Sequence, residues 1–89
     1  MERENNLPKI LADISDAREM EDVLVELLTP REMKDLAMRW QLLKELHRGE
    51  PQRAIAERHG LSLCKITRGS RILKKKNSAI MRLLQENKK

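Results

Sequence analysis

Residues 51–73, PQRAIAERHGLSLCKITRGSRIL, decide the fold. Gly60 divides the stretch into two runs of helix-forming residues. In the first, Ile55, Ala56 and His59 recur at helical spacing and mark an inner face. Gly60 allows a left-handed turn after that helix, and Ser62 stands where it can cap the next one. Ile66 and Leu73 lie on the second helix's inner side. The small side chain of Ala56, four residues before the glycine, lets the two helices approach closely. Short helix, tight turn and second helix make a helix-turn-helix unit; a plain helical hairpin fits the same pattern. Inside the second helix, Gly69 sits between Arg68 and Ser70, at a cost of about 1 kcal/mol relative to alanine.

Upstream, residues 27–50 read LLTPREMKDLAMRWQLLKELHRGE. Thr29 is a good N-cap, Pro30 suits the first helical position, and Glu32 completes a capping box with Thr29. Met33, Leu36, Trp40, Leu43 and His47 follow at steps of three and four, broadened by Ala37, Leu42 and Leu46. Gly49 ends this long central helix, and Pro51 prevents its continuation. Before it, residues 7–14 and 23–28 carry apolar spacing suited to two short helices, with Ser15 or Asp16 at the break. After the helix-turn-helix, NSAIMRLLQENKK at 77–89 places Ser78 as an N-cap before the stripe Ile80, Leu83 and Leu84.

The expectation is therefore an all-α chain of six helices in a single domain spanning 1–89. Residues 1–50 supply core helices, 51–75 the helix-turn-helix, and 76–89 a C-terminal helix returning to the core. Composition agrees: three glycines, three prolines, one tryptophan and no tyrosine or phenylalanine argue against a sandwich or barrel. A domain of 89 residues buries little surface, so dimerisation is expected. Cys64 is the single cysteine, which excludes a disulfide framework and suits a reducing compartment. The acidic, interrupted N-terminus lacks a signal-peptide pattern, no apolar run approaches a membrane span, and a cytoplasmic location is expected.

Charge is sorted along the chain. Residues 1–29 hold three basic and eight acidic side chains, residues 30–50 five and four, and residues 51–89 eleven and two. A basic half behind an acidic front points to a polyanion met by one part of the molecule, most simply nucleic acid. His47 and His59 lack metal-ligand spacing and read as structural or surface residues. With no nucleophile–base pair and no phosphate loop, no catalytic residue, metal site or cofactor is expected.

At LLTPREMKDLAMRW, LHRGEPQR and ITRGSRILK the chain resembles the Trp repressor family. That resemblance implies an intertwined homodimer whose helix-turn-helix heads meet double-stranded operator DNA when L-tryptophan, the corepressor, lies between core and head. It implies that the indole is sandwiched between Arg39 and Arg68. Arg68 and Thr29 would meet the carboxylate, and the carbonyls of Glu26 and Leu28 the ammonium. Gly69 would let the flat ligand lie against the helix backbone, with Ile72 beside it. Ile72 departs from the family pattern, which has a serine there that assists the ammonium.

For DNA, the resemblance implies Arg53 near the start of the first head helix and Ser62, Leu63, Cys64, Lys65 and Thr67 at the start of the second. Lys74, Lys75 and Lys76 add nonspecific attraction. Lys65 stands where the family has a smaller hydroxyl residue, and the chain is one residue shorter after Gly49. Two alternatives remain: a DNA-binding dimer with another effector or none, and a helical interaction protein with an incidental basic face.

Overall fold

The computed structural model describes residues 6–86, and all regular structure among them is helical. The elements are α1 Leu7–Ala12, α2 Ala17–Leu27, α3 Pro30–His47, α4 Gln52–His59, α5 Leu63–Lys74 and α6 Ala79–Glu86. The expectation of six helices holds. The second begins well before residue 23 because Asp16 caps it, accepting from the Glu19 N–H at 3.0 Å. The cap set that boundary, and apolar spacing alone missed it.

Thr29 and Glu32 form the expected reciprocal box at the start of α3. The Glu32 N–H donates to Thr29 Oγ1 at 3.1 Å, and the Thr29 N–H to Glu32 Oε1 at 2.9 Å. At the other end Gly49 has φ +88°, and the Glu50 N–H reaches back to the Glu45 carbonyl at 3.2 Å. Gly60 closes α4 with φ +63°, which lets the Leu61 N–H donate to the Ala56 carbonyl at 3.0 Å. A Cβ at either glycine would meet nothing within 4 Å, so backbone conformation demands them. Ser78 caps α6 through its hydroxyl, which accepts from the Met81 N–H at 3.1 Å. Ser62 occupies the N-cap position of α5, but its side chain makes no capping hydrogen bond, a correction to the expectation.

The chain divides into two compact units, Met1–Asp35 and Leu36–Lys89, parted within α3. The first unit buries none of its described residues, and Leu7, Ile10, Val25 and Leu27 are exposed. In the second, Leu42, Leu43, Ile55, Ala56, Ile66 and Leu84 form the core, with Leu61, Ile72, Leu73 and Ile80 packed against it. Ile55 and Ile66 are fully buried, each worth about 1.5–3 kcal/mol. Helix α4 packs on α5 and α5 on α6.

The inner face of α3 differs from the expected stripe. Of Met33, Leu36, Trp40, Leu43 and His47 only Leu43 is buried; Leu42, expected to broaden the stripe, is buried as well, and Glu45, outside the expected stripe, joins them. Trp40 is half-buried against its own chain's core.

Candidate nucleic-acid interface and ligand site

Helices α4 and α5 carry the polar residues singled out for DNA. Arg53 lies in the first turn of α4 and is exposed, as are Ser62, Leu63, Cys64, Lys65 and Thr67 at the start of α5. The packing explains this: Ile55 and Ala56 turn inward on α4 and Ile66 on α5, so intervening residues face outward by helical period. Lys74 and Lys75 are exposed where α5 ends, with Lys76 beyond. Neither Arg53 nor Lys65 makes an ion pair with another described residue. Both cations, and the uncommitted Ser62 hydroxyl, are available to a phosphate.

Gly69 has a different explanation from the one the sequence suggests. It is buried, and a Cβ there would stand 2.7 Å from Leu42 Cδ1, 3.1 Å from Leu46 Cδ1 and 3.5 Å from Leu43 Cδ2. The space left by the missing side chain is filled by leucines of α3, so it is no cradle for a flat ligand. Its effect is to bring the α5 backbone against α3. In sequence, Arg68 precedes Gly69 directly, and Arg39 lies one turn before Leu42. Both arginines are exposed, and neither is ion-paired to a described residue. Ile72 is half-buried against the core, one turn after Arg68.

At the other proposed contacts, the joint between α2 and α3 leaves acceptors over. The Glu26 carbonyl would take its helical hydrogen bond from residue 30, but that residue is Pro30 and has no N–H. The Leu28 carbonyl would look to the Glu32 N–H, which is committed to Thr29 Oγ1. Thr29 Oγ1 accepts in that bond and keeps its hydrogen to donate. These atoms suit an amino acid zwitterion, which needs acceptors for its ammonium and donors for its carboxylate.

Sequence reasoning missed Glu45. This carboxylate is 4% exposed and is met by three side chains. Gln41 Nε2 donates to Oε2 at 2.7 Å and Arg58 Nη1 to Oε1 at 2.8 Å. His59 Nε2 lies 2.9 and 3.0 Å from the two oxygens. Because an ionised carboxylate only accepts, Nε2 carries the proton. Burial pushes the Glu45 carboxyl up, but the hydrogen bonds from Gln41 and His59 and the charges of His59 and Arg58 outweigh it, holding it below the ordinary carboxylate value. Arg58 Nη2 also reaches Glu50 Oε1 at 2.7 Å, and this bond leads in holding the guanidinium protonated beyond its usual range. The available signal was Gln41 and Glu45 one turn apart, with Arg58 and His59 just before Gly60.

Among known proteins, the chain matches the family described as Trp repressor protein over residues 3–88. A Trp operon repressor homolog of Chlamydia trachomatis serovar L2 is 38% identical over 68 residues, 75% of this chain and 72% of that protein. A Trp operon repressor homolog of Vibrio parahaemolyticus is 42% identical over 65 residues, 72% of this chain and 63% of its own length. No solved structure gives a significant match.

Proposed function

The chain belongs to the Trp repressor family, and from that premise we propose that it represses tryptophan biosynthesis genes, binding operator DNA as a homodimer when L-tryptophan is bound. The observation that carries this reading is that Arg39 and Arg68 are exposed and without ion-pair partners among the described residues, on two helices, α3 and α5, that approach closely at Gly69 and Leu42. Guanidinium planes stack on an indole face, at about 0.5–2 kcal/mol each. Arg68 receives the carboxylate. Gly69 contributes by bringing the backbone of α5 close to α3.

The ligand then gates DNA binding by favouring one tilt of the head, since it shifts the equilibrium only by its preference for that tilt. Arg53, Ser62, Leu63, Cys64, Lys65 and Thr67 meet the major groove and its phosphates, while Lys74 and Lys75 add charge. The exposed apolar residues of the first unit, Ile10, Val25 and Leu27, support a second copy as their cover.

Ile72 favours a second reading of the effector. An apolar side chain where the family has a serine gives no acceptor to the ammonium, so an indole acid without the amine competes with tryptophan. Calorimetric titration of L-tryptophan and of indole-3-propionate tests both. Wild-type protein is expected to bind tryptophan, and Arg68→Ala at least about tenfold more weakly without a change in melting temperature. Equal binding by the two proteins would rule out the Arg39–Arg68 pocket.

A further inference from the structure

We propose that Glu45 is the positioning residue of the reading head: its buried carboxylate sets the rotation and tilt of α4 against α3. The proposal rests on the DNA-binding reading above. Helix α4 has eight residues and buries only Ile55 and Ala56, too small an apolar footprint to specify its orientation. Apolar contacts are non-directional, whereas hydrogen bonds to a carboxylate have narrow distances and angles.

Glu45 supplies that direction. Gln41 fixes Oε2 from within α3, at 2.7 Å, so the carboxylate cannot swing. Arg58 and His59, both in the last turn of α4, then dock on its two oxygens at 2.8–3.0 Å. A second tie joins the same helix end to the loop after α3, through Arg58 Nη2 and Glu50 Oε1 at 2.7 Å. Adjacent residues on a helix point about 100° apart, so two of them converging on one carboxylate leave α4 a single rotational setting. Arg53 stands on the same two-turn helix, so that setting also aims Arg53.

A buried ion pair often contributes little net stability against apolar residues of similar volume, and in some systems its gain is in conformational specificity. The double variant Glu45→Leu/His59→Leu separates the two. It leaves Arg58 paired with Glu50 and is expected to melt close to wild type. It should nevertheless bind duplexes selected by the wild-type protein from a randomised pool at least about tenfold more weakly. Amide hydrogen exchange at Ile55 and Ala56 should quicken, with Leu42 and Leu43 unchanged. Wild-type DNA affinity together with unchanged exchange in α4 would overturn the proposal. If the wild-type protein selects no duplex, the DNA reading fails and the exchange measurement alone decides the positioning of α4. If the double variant does not fold, the same exchange is measured on Glu45→Gln. That variant keeps the side-chain volume and the Gln41 partner but removes the charge, and wild-type protection of α4 in it would overturn the proposal.

Discussion

A methyl group at position 69 would meet Leu42, Leu43 and Leu46 together, and that crowding sets the expected ranking of substitutions there. Alanine regains about 1 kcal/mol of helix propensity, which offsets most of the repacking, so Gly69→Ala should change stability by less than about 1 kcal/mol. Valine adds two further methyls against a leucine already 3% exposed, and should cost at least about 2 kcal/mol. Urea denaturation of both variants checks the order; a Gly69→Val protein as stable as wild type would contradict the close approach of α5 to α3. Glu45 makes a pH prediction. Its folded pKa lies below the unfolded value of 4.5, so its contribution is fully present above 4.5 and is lost as the pH falls through the lower folded value. Denaturation series on both sides of that pH should show wild type losing stability more steeply on the acid side than Glu45→Gln.

The boundaries of α3, the end of α4 and the start of α6 were legible from their caps, whereas the start of α2 at the Asp16 cap was not. Thr29, Pro30, Glu32, Gly49, Gly60 and Ser78 each end or begin a helix as their chemistry dictates, because capping is local and needs no knowledge of the fold. The buried face of α3 was less legible, since which residues turn inward depends on where α4 and α5 pack. Glu45 joined that face only because Gln41, Arg58 and His59 satisfy it. The same distinction between a real and a nominal cap is measurable. Thr29→Ala removes the hydroxyl that accepts from Glu32 and should cost about 1 kcal/mol. Ser62 makes no such bond, so Ser62→Ala should stay within a few tenths of a kcal/mol. Equal losses in denaturation would contradict the hydrogen bonding described for the two sites.

In the whole molecule the two units differ in what they bury. The Leu36–Lys89 unit has its own core, while the described part of Met1–Asp35 buries nothing. Apolar periodicity marked the residues of α1 and α2 without revealing what covers them, because a partner's surface leaves no trace in one chain's spacing. If that cover is a second copy, melting temperature rises with protein concentration, and Val25→Glu shifts sedimentation equilibrium toward monomer; a wild-type monomer at all concentrations would remove the dimer. The exposed cations of the second unit were legible as a charge imbalance, and the salt dependence of binding should steepen by about 0.9 in log–log slope per phosphate neutralised. Ligand-gated DNA binding is tested by the affinity of the protein for duplexes selected from a randomised pool, with and without L-tryptophan. Tighter binding with tryptophan in wild type, lost in Arg68→Ala, is the predicted result; the same affinity with and without millimolar tryptophan would contradict it.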